Sequence, residues 1–228
     1  MSTANTIQSA VIGMPMYGLM VMLAVGVSLV YWLRAAKSDQ RLLLIYFSAI
    51  AGAFVGAKLA YFIAEAWIHT GPDAWRQWLV GKSITGALLG GFLGVELGKK
   101  LVGYSKSTGD RFALIIPWGV MMGRVGCLRH GCCTGKLFES GYRWPSVEVE
   151  LGANVLIWCA LMLVRKKAFA QNQLFHIYLV VYGVFRYVHE FLRATPKLAF
   201  GISGYQWIAL AIISTGLIAF KQRSRKRF

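Results

Sequence analysis

Residues 11–65 read VIGMPMYGLMVMLAVGVSLVYWLRAAKSDQRLLLIYFSAIAGAFVGAKLAYFIAE. Two apolar runs, about 11–33 and 42–65, flank a short connection carrying Arg34, Lys37 and Arg41. A helix of roughly 20 apolar residues crosses the hydrocarbon core of a bilayer. Lipid offers the backbone no hydrogen bonds, so spanning segments must satisfy their own. The stretch therefore predicts a helical hairpin through a membrane with a basic turn on one side. Five more apolar segments follow, at about 84–98, 112–128, 149–164, 173–192 and 203–220. The third and fifth of the seven are short, and are expected to begin earlier or to include interfacial turns. The expectation is an all-α membrane protein: a seven-span helical bundle forming one transmembrane domain over residues 1–228, with no room for a separate soluble domain.

Composition agrees. Of the 228 residues 57% are hydrophobic and only 15% charged, yet the formal net charge is +16; soluble domains carry about 25% charged residues. Disorder requires low hydrophobicity. A soluble nucleic-acid binder sets its basic stripe on a polar fold, so no nucleic-acid partner is expected, and the first partner is the bilayer.

The cations are placed unevenly. The odd-numbered connections and the tail hold 15 of the 25, among them Lys99, Lys100, Arg165 and the run Lys221 to Arg227; the even connections hold 7. By the positive-inside rule the N-terminus lies outside and the C-terminus in the cytoplasm. The basic tail reads as a topology signal before it reads as an anionic-lipid contact. No Lys or Arg precedes Arg34, so no cleavable signal is expected. Gly52 and Gly56, then Gly86, Gly90 and Gly94, recur at intervals of four. Small residues so spaced let helices approach closely in lipid; packing within the bundle is expected here, ahead of a dimer interface.

Three sets of ionisable residues fall inside apolar segments, where each costs several kcal/mol unless it faces the bundle interior or a wet cavity. In VYGVFRYVHEFLR (181–193), Arg186, His189, Glu190 and Arg193 are offset by 3, 4 and 7 and share one helical stripe. Arginine presents a planar fork of donors suited to phosphate. Two arginines with one carboxylate leave a positive surplus that favours an anionic ligand over a purely structural ion pair. In GRVGCLRHGCCTG (123–135), Arg124 sits within the apolar run, and four glycines interleave with His130, Cys127, Cys132 and Cys133. Glycine permits the backbone of a broken or re-entrant segment. Lys58, Tyr61 and Glu65 share a third stripe; Lys58 is either a phosphate contact or an interior lysine paired with a neighbouring helix.

The cysteine run reads C-x2-H-x-C-C. Zinc sites generally use two separated ligand pairs, so no metal and no cofactor is expected. On the outer side a disulfide is possible, although adjacent Cys132 and Cys133 pair badly. Cations lower thiol pKa values, which keeps a reactive thiol open beside the plainer reading of small residues packed in an elbow. Cys159 reads as packing.

Taken in order, these segments resemble the prolipoprotein diacylglyceryl transferase family, bacterial inner-membrane enzymes that move a diacylglyceryl group from phosphatidylglycerol to a cysteine thiol. Tyr17-Gly18, GAFVGAKLAYFI, GKSITGALLGGFLGVELGKK, GRVGCLRHGCCTG, RWPSVEVE and VYGVFRYVHEFLR each resemble a family segment, along nearly the whole chain. The resemblance implies a seven-span fold with the active site facing the outer leaflet of the inner membrane, and it places the family's two essential arginines on Arg124 and Arg186. Thr85 stands where the family has histidine; Cys127, His130 and Cys132 replace two asparagines and a glutamate of the signature; Val147 and Val149 follow Pro145-Ser146 in place of glutamine and tyrosine.

The function expected is a membrane transferase acting on an anionic glycerophospholipid such as phosphatidylglycerol, with an unknown nucleophilic acceptor. Arg124 and Arg186 would bind the phosphate and stabilise its charge, and Glu190 would orient Arg186. His130 and His189 are candidate bases and Cys132 a candidate nucleophile. Lys58, Tyr17, Ser83, Thr85, Gly86, Cys127, His189, Arg193 and Ser146 are expected around the substrate. The alternatives are a non-catalytic lipid-binding or lipid-translocating relative, and a thiol redox or metal protein.

Overall fold

The computed structural model describes residues 3–225, with side chains from Met16 onward, Ala199 excepted. Eight α-helices follow one another: α1 (Thr3–Ala36), α2 (Arg41–Ala64), α3 (Ala74–Val80), α4 (Ile84–Leu101), α5 (Gly109–His130), α6 (Ser146–Val164), α7 (Leu174–His189) and α8 (Gly204–Arg225). Each of the seven predicted apolar segments is a helix. The fifth begins earlier, as expected, with α6 starting at Ser146 rather than near 149; the third, α4, starts at Ile84 as read and is longer at its other end, running to Leu101. The short α3 was not predicted. Lys226 and Arg227 of the basic tail lie outside the described residues.

Among the described residues five helices are long and apolar enough to cross a membrane: α1 from Met16, α2, α5, α6 and α8. The pair α3 and α4, bent by 51° at its break, counts as a sixth if taken as one broken span. At 16 residues, α7 is about 24 Å long, short of a ~30 Å core, and a 3-10 turn at Glu190–Leu192 continues it. Large apolar side chains such as Met22, Phe54, Leu59, Leu156 and Leu163 point outward. A soluble monomer rarely exposes so much contiguous apolar surface; a bilayer takes it without penalty.

The glycine repeat sets the tightest seam. A Cβ built on Gly90 would stand 2.3 Å from Gly52 O and 2.8 Å from Gly56 Cα. One on Gly52 would stand 2.4 Å from Gly90 O. The repeat is thus spent on α2 against α4, within the bundle. Leucine at Gly90 is expected to force the helices apart and to lower stability by about 1–3 kcal/mol, read as an earlier thermal melt in detergent. Alanine at Gly119, where nothing lies within 4 Å of the added Cβ, should leave the melt unchanged or raise it.

The other end of the bundle is closed by aromatics. The Trp32 ring is 4.5 Å from Phe112 and 5.7 Å from Tyr46 between centroids. Asp110 accepts from the backbone N–H groups of Asn172 at 2.6 Å and Leu174 at 3.0 Å, tying α5 to the loop before α7. In the first connection Arg41 holds Asp39 at 2.8 Å and keeps that carboxyl below its ordinary range. At the opposite end of α5 the helix stops at Gly131, whose φ of 69° is left-handed, as a helix-ending glycine permits.

Candidate active site

The start of α6, the end of α7 and the last turns of α5 converge on one carboxylate. Glu150 is fully buried, and three arginines share it. Arg124 Nη2 donates to Oε1 at 2.8 Å, Arg186 Nη1 to Oε2 at 3.2 Å, and Arg193 Nη1 lies 3.5 Å from Oε2. The Tyr182 hydroxyl donates to Oε1 at 2.9 Å. A second buried carboxylate, Glu190, pairs with Arg186 Nη2 at 2.8 Å and Arg193 Nε at 3.5 Å. Thr195 donates to Glu190 Oε1 at 2.5 Å, and Lys197 caps the Glu190 carbonyl at 2.6 Å. Burial pulls the Lys197 ammonium below its usual value.

The sequence led us to weigh two arginines against one carboxylate. The structure gives three against two, so a net positive charge is still enclosed. Nor is the donor set exhausted: the buried Arg124 Nε has no hydrogen-bond partner. Buried cations at this density persist only with partners in place, and an unpaired buried donor calls for a ligand or a water.

Most of the predicted site residues assemble here. Ser146 Oγ lies 3.4 Å from Arg193 Nη1 and 3.5 Å from His189 Nε2, which also accepts from Trp144 Nε1 at 3.2 Å. Cys127, one turn beyond Arg124, has its sulfur 3.8 Å from Arg124 Nη1. Tyr17 of α1 packs against Gly126 and sits edge-on to His130 at 6.4 Å. Lys82 stands over the Tyr17 ring at 5.3 Å. Cys132 lies beside Cys127 in the turn after α5.

The hydrogen bonds of the remaining predicted residues lead elsewhere. Ser83 caps α4, accepting from Gly86 N at 3.2 Å and sharing a 2.7 Å bond with the buried Thr85. Gly86 packs on Gly56 and Ala60. Lys58 donates to the carbonyls of Trp78 at 2.8 Å, Leu79 at 2.5 Å and Gly81 at 3.0 Å. It is the paired lysine, and it holds the C-terminal end of α3, as cations do at such ends. Lys58→Ala is expected to speed hydrogen exchange across residues 78–82 while cutting lipid turnover less than about tenfold. Cys159, read as packing, is exposed on α6.

Glu150, Tyr182 and Trp144 were missed. For Glu150 the signal was present, since it ends the RWPSVEVE segment. With the fifth span started near 149, however, Glu150 stands at the very edge of the apolar run. The helix begins at Ser146, which carries Glu150 a full turn into the bundle.

Comparison with known proteins points to one family. The family model described as Prolipoprotein diacylglyceryl transferase matches residues 6–221. The chain is 27% identical to the phosphatidylglycerol–prolipoprotein diacylglyceryl transferase of Dehalococcoides mccartyi, covering 92% of this chain and 90% of that protein. It is 27% identical to the like-named protein of Clostridium tetani, covering 94% and 96%. A third of that name, from Mannheimia succiniciproducens, is 28% identical over 89% of this chain and 84% of its own. With a match along almost its entire length, this multi-pass membrane chain belongs to the prolipoprotein diacylglyceryl transferase family.

Proposed function

We propose that the chain binds an anionic glycerophospholipid of the phosphatidylglycerol type at the Arg124–Arg186–Arg193 cluster and transfers its diacylglyceryl part to a nucleophilic acceptor. The support is one observation: a buried cluster with three arginines, two carboxylates and a free guanidinium donor on Arg124. A headgroup phosphate supplies the missing negative charge and accepts that donor. In the transfer the acceptor attacks the glycerol carbon bonded to the phosphate oxygen. The carbon–oxygen bond breaks, and glycerol phosphate leaves with the electron pair. The arginines hold the charge that gathers on the leaving phosphate. His130, whose Nδ1 has no hydrogen-bond partner, takes the proton from the acceptor. His189, with the Trp144 N–H on Nε2 and an Nδ1 that likewise has no partner, is the second base the cluster offers.

The bundle has seven spans in this reading, α7 with its 3-10 turn being the sixth. The N-terminus is outside, the C-terminus cytoplasmic, and the site faces the outer leaflet of a bacterial inner membrane, following the cation bias. The assay is mass spectrometry of lipids after incubation of the protein with phosphatidylglycerol liposomes and a thiol acceptor. Release of glycerol phosphate by the wild-type protein supports the proposal; retention of lipid without turnover supports a binding-only relative. The buried Thr85, bonded to Ser83 where the resemblance implies a histidine, is the observation that favours that second reading.

A further inference from the structure

Beyond the arginine cluster, the turn that ends α5 gathers three sulfurs. Cys127 lies on the last helical turn, and Cys132 and Cys133 follow the helix-ending Gly131. Their three Sγ atoms lie within 4.8 Å of one another, with Cys127 and Cys133 at 4.0 Å. All three thiols are free. His130, between them in sequence, does not join the group.

The backbone is bent to achieve this. Gly131 has φ 69°, and Cys133, two residues on, has φ 63°. The left-handed region is uncommon for a residue with a Cβ, and such residues cluster at functional sites. Here the conformation brings Cys133 back over Cys127. Arg124 Nη1 lies 3.8 Å from Cys127 Sγ, so a cation already borders the sulfur group.

The spacing has a size to match. A cation bound to sulfur at about 2.3 Å, the zinc–thiolate distance, sits at the centre of a sulfur triangle with edges of about 4.0 Å if planar or about 3.8 Å if pyramidal. A disulfide needs about 2.05 Å, so pairing Cys127 with Cys133, now 4.0 Å apart, requires far more movement of the turn than gathering the three sulfurs around a cation. Thiolate sets of this kind select soft or borderline ions such as Zn(II) and Cu(I). We infer that Cys127, Cys132 and Cys133 form a tris-thiolate site for a thiophilic d10 cation of the Zn(II) type, with its fourth position open to an exogenous ligand. Sequence spacing argued against a metal because two separated ligand pairs are absent. The fold supplies the separation instead, by turning the chain back through two left-handed residues.

The site adjoins the arginine cluster at Arg124, and it is tested without activity. Protein purified in detergent under a phosphine reductant is stripped with chelator, then titrated with Cd(II) while the thiolate-to-metal charge-transfer absorption is followed. Zn(II) content is measured in parallel by elemental analysis. The expected result is one ion per chain. Cys127→Ser, Cys132→Ser and Cys133→Ser should each weaken Cd(II) binding by more than about tenfold, since loss of a direct ligand costs more than loss of a supporting residue. Cys159→Ser, on the exposed face of α6, should bind as wild type. The thermal melt of each apo variant separates lost binding from lost fold. Absence of a saturable band in wild-type protein overturns the proposal. So does equal loss in Cys159→Ser, or the finding that the reduced protein binds nothing and the isolated chain carries a Cys127–Cys133 disulfide.

Discussion

Arg124→Ala is expected to reduce release of glycerol phosphate from phosphatidylglycerol liposomes by about 100-fold or more, with only a modest loss of stability. The size follows from its role, since removing a single donor that stabilises charge in a transition state costs about 10²–10³ in rate. The modest stability loss follows from the charge count. Without Arg124, Arg186 and Arg193 remain against Glu150 and Glu190, and the buried cluster is electrically balanced. Glu150 Oε1 keeps the Tyr182 hydroxyl as a donor at 2.9 Å. Arg124→Lys should not rescue the rate. One guanidinium serves Glu150 through Nη2, lies against Cys127 through Nη1, and leaves Nε for a phosphate oxygen. A lysine ammonium on a flexible stem cannot face three ways in a plane. Lipid mass spectrometry and a thermal melt on the same preparations decide the matter. Undiminished release by Arg124→Ala would remove the headgroup site from this cluster; a loss of rate matched by a collapsed melt would mean that the residue is structural.

What the sequence revealed and what it hid have a common physical reason. Arg186, Glu190 and Arg193 were legible because charge is costly in lipid and their spacing fixed a common stripe. Arg124 was legible for the same cost. Pattern reports the face of a helix, not the helix opposite, so RWPSVEVE pointed to Glu150 without placing it between Arg124 and Arg186. That needed the start of α6, which lies three residues before the apolar run suggests. Lys58 went the same way. Its stripe was evident, but its partners are carbonyls at the end of α3. That helix has seven residues, AWRQWLV, too few for a periodic signal. The glycine repeat shows the opposite case. Intervals of four in two segments left few ways to pack, and α2 meets α4 along that seam.

Glu150→Gln is expected to be the most destabilising single substitution in the chain, at about 3–5 kcal/mol, the cost of breaking a buried ion network from one side. It is nearly isosteric, so packing is spared and the effect is electrostatic. Three buried arginines would share one carboxylate, Glu190, which reaches Arg186 at 2.8 Å and Arg193 at 3.5 Å. Arg124 has its carboxylate contact with Glu150 and would be left facing an amide. An amide oxygen still accepts up to two hydrogen bonds, but the NH2 group must then face a guanidinium or the Tyr182 hydroxyl. The charge argument makes a second, sharper demand. Adding Arg193→Gln to Glu150→Gln removes one of the excess cations, so the double variant should melt above the Glu150→Gln single variant, although it carries one more substitution in the core. Independent contacts would make the two losses add; a shared network makes them couple. Melts of the four proteins in the same detergent give that coupling directly. If Glu150→Gln unfolds within about 1 kcal/mol of wild type, or the double variant is simply the sum of its parts, the arginines are not held by a common carboxylate. The buried positive surplus on which the lipid headgroup depends would then lose its foundation.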